Sequence, residues 1–392
     1  MRAGMMSRAY AAGGAGRLAV SGLFFCNGVL VGSWAPKLPV LMQRLGIGEA
    51  VAGLLVLALG LGSLVVMPLV GAMVARRGSD AALRLMAVLA CLPLLLVTLA
   101  PGLWTVAVAV FLFGGMLGGM DVAMNANAVA VERARRRAIM SSCHGFWSLG
   151  AMAGAGLGGM LMAGLGETRH GLMVTLLVGL AVAWLLPRLL HDRPSAAERG
   201  QKLRLPRSPM PYVIGTVALC CMIPEGAVLD WAAVYLKREL GASLSLAGWG
   251  FAACSGTMAV MRFLGDGLRR RLGAVRTLRL SAMAAIAGLG LAGMAGSAGW
   301  AIAGFGLAGL GIANMVPIAF SAAGNLPGMA RGVGLSVVTM MGYSGMLFAP
   351  GSIGFLAEHV SLASIYAGLA VLLLVPLSLS HLVAAADFEA RE

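Results

Sequence analysis

About a dozen apolar runs, each near the length of a membrane-crossing helix, dominate the 392-residue sequence. The hydrocarbon core of a bilayer is about 30 Å thick, and an α-helix needs about 20 apolar residues to cross it. Hydrophobic residues make up 59% of the chain and charged residues 11%, with a mean hydropathy of +0.90. Because about 25% of the residues in a soluble domain are charged, the composition excludes a soluble core. It predicts an all-α polytopic membrane protein.

We predict twelve transmembrane helices in two halves of six. The first half is residues 1–190, the second is 211–392, and the polar, basic, proline-bearing segment 191–210 links them. The predicted spans are 17–42, 50–74, 81–99, 103–128, 138–164, 171–190, 211–236, 246–266, 274–295, 299–322, 332–356 and 361–384.

The positive charges are distributed unevenly along the predicted loops. With the N-terminus inside, 23 of the 29 Lys and Arg residues fall on the cytoplasmic side, five on the opposite side, and Arg262 within a helix. Loops rich in Lys and Arg stay in the cytoplasm, so both termini are predicted to be cytoplasmic. The net charge of +14 therefore reflects topology, and no nucleic-acid partner is predicted.

A glycine followed by a basic tight turn occurs once in each half. The residues of this loop motif are Gly71, Arg76, Arg77 and Gly78 in the first half, and Arg262, Gly265 and Asp266 in the second. The motif resembles the cytoplasmic loop signature of the major facilitator superfamily (MFS), in which an acid precedes the basic pair. Ala75 occupies that position in the first copy, whereas the second keeps its acid as Asp266. We interpret Arg262 and Asp266, four residues apart, as a structural latch.

Three further sequence segments indicate a particular group within this superfamily. Residues 119–125, 141–144 and 225–231 resemble the MosC-like group of bacterial inner-membrane carriers, which is associated with inositol-derived compounds. The resemblance implies the MFS fold of two parallel repeats and a secondary transporter in the bacterial inner membrane. It also implies a monomer among membrane lipids, with a small-molecule substrate. No cofactor, catalytic residue or metal site is predicted.

Ionisable residues within apolar spans are costly and usually functional. Asp121 and Asn125 are four residues apart and share a helix face, and His144 on the next helix should approach Asn125, with Asp121 beside it. These residues form either a protonatable pair or an interhelical hydrogen-bond clamp. Glu225 follows the helix-bending Pro224 at mid-depth, with Asp230 nearer the outside. We predict Glu225 as the proton-coupling residue, with Asp121 and Asp230 as further candidates.

Lys37 and Asp230 should lie at similar depth near the outer surface, on the first and seventh helices. In the MFS these helices meet across the central cavity, so the resemblance implies that Lys37 and Asp230 pair as an outer gate. The alternative is that Lys37 extends to the membrane interface.

Polar and aromatic stripes on the predicted spans suit a solute that offers hydroxyl groups. The candidate substrate-binding residues are Asn27, Trp34, Asn125, His144, Trp147, Trp231, Asn314, Ser321, Thr339 and Tyr343.

The leading hypothesis is a proton-coupled transporter of a sugar, cyclitol or similar solute. A proton antiporter that exports drugs or metabolites is the alternative, because four glycines of the fifth span resemble in part the antiporter signature of the MFS: Gly150, Gly154, Gly158 and Gly159. Close helix packing also explains these glycines. A membrane sensor or membrane-embedded enzyme represents a different class.

Overall fold

The computed structural model describes residues 2–135, 139–192, 207–324, 326 and 333–386, and every regular element among them is helical. In chain order the α-helices are α1 (Arg2–Trp34), α2 (Lys37–Leu45), α3 (Glu49–Arg77), α4 (Ser79–Ala90), α5 (Pro93–Leu99), α6 (Leu103–Arg135), α7 (Met140–Leu165), α8 (Glu167–Leu185), α9 (Met210–Arg238), α10 (Leu244–Ala247), α11 (Trp249–Leu272), α12 (Ala274–Gly293), α13 (Ala298–Gly324), α14 (Val333–Leu356), α15 (Leu362–Leu372) and α16 (Leu374–Ser378). Two 3₁₀ helices cover Leu186–Arg188 and Ser380–Ala386. The all-α prediction is confirmed for the described residues.

Ten helical segments of the described chain are long and apolar enough to cross a membrane, and a bent helix pair near the C-terminus would make an eleventh. The ten are Gly14–Leu45, Glu49–Val74, Ser79–Leu99, Leu103–Ala128, Ser142–Leu165, Glu167–Arg188, Met210–Arg238, Leu244–Gly265, Ala274–Gly293 and Ala298–Ala323. Each coincides with one of the first ten predicted spans. The eleventh predicted span, 332–356, coincides with α14, which does not belong to these ten.

The twelfth predicted span, 361–384, is not one straight helix. The segment Leu362–Ser378 is followed by the 3₁₀ helix Ser380–Ala386 at an angle of 56°. Just before the bend, the hydroxyl of Ser378 donates to the carbonyl of Val375 at 2.8 Å. Such a local side-chain bond competes with the helical ladder. The apolar pattern therefore located this span but could not show the bend.

The first span is interrupted where the sequence holds two prolines three residues apart. Helix α1 ends at Trp34 and α2 begins at Lys37, with Pro36 between them in a helical backbone conformation. Proline lacks the backbone N–H that would continue the ladder. The helix therefore breaks at Pro36, and Lys37 becomes the first residue of a new helix.

Glycines bring α1 and α7 into backbone contact. A Cβ atom added at Gly150 or Gly154 would collide with the carbonyl of Phe25 or Val29, respectively. The reverse holds at Gly28 and at Gly32, where a Cβ would meet the α7 backbone. Small residues allow such close approach between membrane helices. Packing therefore explains Gly150 and Gly154 without an antiporter function.

In the second part of the chain, three aromatic rings pack where α9, α12, α13 and α15 meet. Tyr235 donates its hydroxyl to the carbonyl of Ala292 at 2.8 Å, and Tyr366 donates to that of Ala227 at 3.0 Å. The ring of Phe305 lies edge-on to both tyrosines. Each hydroxyl thus finds a partner in an apolar surrounding, as buried tyrosines require.

The chain groups into two compact units. The first unit is Met1–Ile47 with Leu55–Gln201, and the second is Gly48–Leu54 with Lys202–Glu392. The first turns of α3 thus group with the second unit, which the sequence did not predict. Residues 193–206 of the predicted linker lie outside the described residues.

Positive-φ glycines recur at a fixed spacing in the two units. Gly46 and Gly241 have φ of 63° and 62°, and Gly78 and Gly273 have φ of 96° and 77°. The members of each pair are 195 residues apart. Only glycine adopts this backbone readily. The recurrence of these turns agrees with the predicted repeat.

Candidate functional site

Helices α6 and α7 form a polar chain within the first unit. The amide nitrogen of Asn125 donates to the Oδ1 atom of Asp121 at 3.1 Å and to its backbone carbonyl at 2.9 Å. Nε2 of His144 lies 3.2 Å from Oδ1 of Asn125. The amide oxygen can only accept, so the contact requires a proton on Nε2. The predicted approach of His144 to Asn125 is confirmed, and Asn125 bridges Asp121 to the imidazole.

Asn127 serves a different surface, as its position on α6 predicts. Its amide donates to the hydroxyl of Ser79 at 3.0 Å and to the carbonyl of Leu190 at 3.1 Å. Asn127 therefore connects α6 to the start of α4, next to the basic turn, and to the segment that follows α8.

A second contact between α1 and α7 lies one turn from His144. Trp147 donates its indole N–H to Oδ1 of Asn27 at 2.9 Å, and Asn27 donates to the carbonyl of Leu117 at 3.3 Å. Phe24 lies one turn before Asn27, with its ring 5.1 Å from that of His144. The structure therefore brings together four predicted substrate residues: Asn27, Asn125, His144 and Trp147. Phe24 was missed, because an aromatic residue in an apolar helix carries no distinguishing signal.

Trp34 lies apart from this group. It is fully buried, and its ring centroid is 6.1 Å from that of Phe113. This environment favours a packing role for Trp34 over contact with a solute.

Glu225 and Arg262 form an ion pair within the membrane-spanning part of the second unit. Nη2 of Arg262 lies 3.4 Å from Oε1 of Glu225, and the two side chains are 14% and 13% exposed. The sequence predicted Arg262 as part of the loop motif, latched to Asp266, whose side chain lies outside the described part of the structure. That interpretation missed the carboxylate of Glu225. Arg262 on α11 reaches Glu225 on α9 because the long arginine side chain carries its guanidinium group several ångströms from the backbone.

The other predicted residues of the second unit have separate environments. Asp230 and Trp231 are buried on α9, and the indole nitrogen of Trp231 has no partner among the described residues. The amide oxygen of Asn314 faces Gly265 of the loop motif, whereas the hydroxyl of Ser321 accepts from Arg269 at 2.9 Å. These contacts favour structural roles for Asn314 and Ser321.

Helix α14 carries two of the predicted substrate-binding residues, Thr339 and Tyr343. Tyr343 is exposed. The side chain of Thr339 lies outside the described part of the structure, so its substrate role stays a prediction.

Lys37 is buried at the start of α2 with partners that the sequence did not indicate. Its ammonium donates to Oγ1 of Thr98 at 2.8 Å and lies 3.3 Å from Oε1 of Glu167. Arg44 shares the same carboxylate, at 3.1 Å from Oε2. In this structure the partner of Lys37 is therefore Glu167, where the sequence analysis expected Asp230. Pairing with Asp230 stays a prediction, and it would require the ammonium to leave both present partners.

The basic turn of the loop motif is completed from a distant part of the chain. Arg76 and Arg77 are exposed, and Gly78 turns with φ 96° into α4. Oδ1 of Asp192 accepts the backbone N–H groups of Ser79 at 2.9 Å and Asp80 at 3.1 Å. A carboxylate at a helix N-terminus satisfies orphan donors and matches the macrodipole. Asp192 thus caps the helix whose turn lacks an acid at position 75.

Comparison with known proteins gives one consistent family. A family model described as Major Facilitator Superfamily matches residues 20–228. An uncharacterized MFS-type transporter of Yersinia pestis is 35% identical over 352 residues, covering 90% of this chain and 91% of its own. Membrane protein MosC of Rhizobium meliloti is 33% identical over 346 residues, covering 88% and 84% of the two chains.

Solved structures share the fold at low identity. A crystal structure of a variant of the nucleoside transporter NupG has a TM-score of 0.73 at 14% identity, covering 93% of this chain and 99% of its own. The human organic anion transporter MFSD10 has a TM-score of 0.68 at 16% identity, covering 94% and 99%.

The buried Lys37 makes the first unit sensitive to loss of its counter-charge. We expect Glu167→Ala to destabilise the protein by about 3 kcal/mol or more, because removing one partner of a buried ion pair leaves an uncompensated charge. Adding Lys37→Met to Glu167→Ala should recover part of the loss, since no buried ammonium then remains. Thermal unfolding in detergent measures both, with the exposed Arg169→Ala on the same helix as the control. Equal stability of the Glu167→Ala protein and the wild type would contradict the assignment.

Proposed function

Because the chain belongs to the major facilitator superfamily, whose members are transporters and not enzymes, we propose that it is a proton-coupled secondary transporter. It moves a small hydroxylated solute, such as a sugar or cyclitol, across the bacterial inner membrane by alternating access. The observation that carries the proposal is the Glu225–Arg262 ion pair inside a membrane span.

Glu225 is the proposed proton carrier. At 3.4 Å the Coulomb attraction of the ionised pair is on the order of 5 kcal/mol at an effective dielectric constant of 20. A proton on Glu225 removes this attraction and frees the carboxyl group from the guanidinium. Protonation therefore changes the contact between α9 and α11, which is what coupling to a conformational change requires. Asp121, bridged to His144 by Asn125, is the alternative proton site.

The solute class is inferred from the polar groups near α1, α6 and α7. Asn27, Asn125, His144 and Trp147 offer amide, imidazole and indole groups that donate or accept single hydrogen bonds. Such groups match hydroxyls, and a small number of placed polar groups in an apolar surrounding is typical of small-molecule sites. Glycine packing between α1 and α7 accounts for Gly150 and Gly154 of the partial antiporter signature, which supports solute uptake over drug export.

We also propose twelve spans with both termini in the cytoplasm and a monomer within the lipid. The charge asymmetry supports this topology. In a protein without native cysteines, an impermeant thiol reagent added outside should label Gly102→Cys and should not label Ser195→Cys. Labelling in the opposite pattern would reject the orientation.

Glu225→Gln tests proton coupling directly. Purified protein in liposomes is screened with labelled cyclitols, sugars and nucleosides, with and without a proton gradient. We expect the wild type to accumulate the accepted solute against its concentration gradient when the proton gradient is present. The Glu225→Gln protein should lose accumulation and keep exchange of solute across the membrane, because the neutral amide mimics the protonated carboxyl.

Asp121→Asn provides the comparison for this experiment. Accumulation by the Glu225→Gln protein together with its loss in the Asp121→Asn protein would move the proton site to Asp121. Accumulation by both variants would refute proton coupling at either carboxyl.

A further inference from the structure

A groove with a volume of about 740 Å³ lies within the second unit, between α9, α14 and α15. Leu219 and Ile223 line it from α9, and the second half of α14, from Ser344 to Leu356, lines it lengthwise. At a rise of 1.5 Å per residue, this stretch of α14 makes the groove about 18 Å long. One leaflet supplies roughly 15 Å of a hydrocarbon core of about 30 Å. The groove, which we call the α15 groove, therefore has the length of a single leaflet.

The lining of the α15 groove is apolar and borders the surface that faces lipid. Phe348 and Leu356 lie at its edge and are 58% and 48% exposed. Among the described residues that line the groove, none is charged, and the polar ones are three serines: Ser344, Ser352 and Ser364. A solute with a charge or with many hydroxyls would lose hydrogen bonds on entering such a groove. An acyl chain has none to lose, so the lining selects for hydrocarbon.

Two glycines determine the shape of the groove. A Cβ added at Gly345 of α14 would lie 3.1 Å from Cγ1 of Ile223 and 3.2 Å from Cγ of Leu219, so α14 and α9 pack closely there. Gly368 of α15 also lines the groove, but a Cβ added to it would meet no atom within 4 Å. The groove is thus closed between α9 and α14 and wide beside α15, where a larger side chain would take up its space.

The end of the groove nearest the start of α15 carries two hydroxyl groups. Val360 and Ser364 line this end, and the hydroxyls of Ser361 and Ser364 lie 2.9 Å apart. Each hydroxyl has one proton, so this contact uses one proton and leaves the other for an acceptor such as a phosphate oxygen. In the proposed topology α15 begins at the outer surface, which puts these hydroxyls at the level of the outer-leaflet headgroups.

We propose that the α15 groove binds one acyl chain of an outer-leaflet phospholipid, whose phosphate accepts a hydrogen bond from Ser361 or Ser364. An acyl chain in the groove contacts protein along its length, and these dispersion contacts hold it in place. The matched length, the uncharged lining and the hydroxyls at one end together favour this occupant over a polar solute.

The bound acyl chain supports α9 where its hydrogen-bond ladder is interrupted. Ile223 lines the groove directly before Pro224, which has no N–H to donate to the carbonyl of Cys220. Successive helical residues are about 100° apart, so Glu225 lies on nearly the opposite side of α9 from Ile223. The acyl chain therefore presses on the back of the segment that holds Glu225 against Arg262. This effect on transport rests on the proposed function, whereas the binding of lipid does not.

Photo-crosslinking detects the lipid without any transported solute. The protein is placed in phosphatidylcholine liposomes that contain a phosphatidylcholine with a diazirine on one acyl chain, unlabelled lipid is then added in excess, and the sample is illuminated. We expect groove peptides of α14 and α15 to keep their cross-links after this dilution. Peptides of α8 that carry the exposed Leu176 and Leu180 should lose theirs. Equal loss from the groove and from α8 would overturn the site.

Substitutions at open glycines test the groove with a matched control. Gly368→Phe should lower cross-linking in the groove about tenfold, because the ring overpacks the space that the acyl chain needs, and Gly368→Leu should have a smaller effect. Gly290→Phe on α12, where an added Cβ also meets no atom within 4 Å, should leave it unchanged. Thermal unfolding in detergent checks that these variants fold. Wild-type cross-linking in both Gly368 variants would overturn the site.

The headgroup end is tested with two probes. Ser361→Ala combined with Ser364→Ala should lower cross-linking by the phospholipid about two- to tenfold, as suits the loss of a hydrogen bond. A free fatty acid with the same diazirine is the second probe. Stronger cross-linking of the groove by the fatty acid than by the phospholipid would overturn the phospholipid assignment.

Solute accumulation separates the lipid site from the proposed function. We expect Gly368→Phe to slow accumulation driven by a proton gradient, and Gly290→Phe to leave it unchanged. Accumulation at the wild-type rate in the Gly368→Phe protein, with its groove cross-links lost, would uphold the lipid site and overturn its effect on α9. If the wild type accumulates no solute, the proposed function fails, and the cross-linking results still decide whether the groove binds lipid.

Discussion

A charged side chain within the hydrocarbon must have a partner, because no water is available to solvate it there. Two ion pairs in the described spans meet this constraint through contacts between different helices. Glu225 on α9 faces Arg262 on α11, and Lys37 on α2 faces Glu167 on α8. Each such contact fixes how one helix is rotated against another. Apolar packing alone would specify that rotation less strongly, because any face of these helices can meet lipid.

The same constraint separates structural from functional ionic contacts. The ammonium of Lys37 is fully enclosed and contacts both a hydroxyl and a carboxylate, so in this structure it connects α2 to α5 and α8 beside the break at Pro36. The carboxylate of Glu167 contacts two cations, Lys37 and Arg44, whereas the carboxylate of Glu225 pairs with Arg262 alone among the described residues. Protonation of a carboxylate with one cationic neighbour gives up less Coulomb attraction than protonation of one with two. This difference is the basis for proposing Glu225, and not Glu167, as the proton carrier.

The sequence predicted the local features and missed most long-range contacts. Apolar length located the spans, and helical periodicity placed Asp121 and Asn125 on one helix face, because both features depend on residues close in the chain. The pairing of Lys37 with Glu167, 130 residues apart, and of Glu225 with Arg262, 37 residues apart, depends on helix rotation. In a helix that is apolar on all sides, periodicity does not set that rotation. The cap from Asp192 was missed because this residue is 113 positions from Ser79, and the absence of an acid at Ala75 did not show which residue takes its place.

Proton movement that accompanies solute entry tests the central claim most directly. Liposomes containing the wild-type protein, in weak buffer and without an imposed gradient, are given the accepted cyclitol, sugar or nucleoside on the outside. The account predicts that the external pH rises as the solute enters, because each transported molecule carries a proton inward, and that a protonophore abolishes the change. Solute entry at a constant external pH would contradict proton-coupled transport.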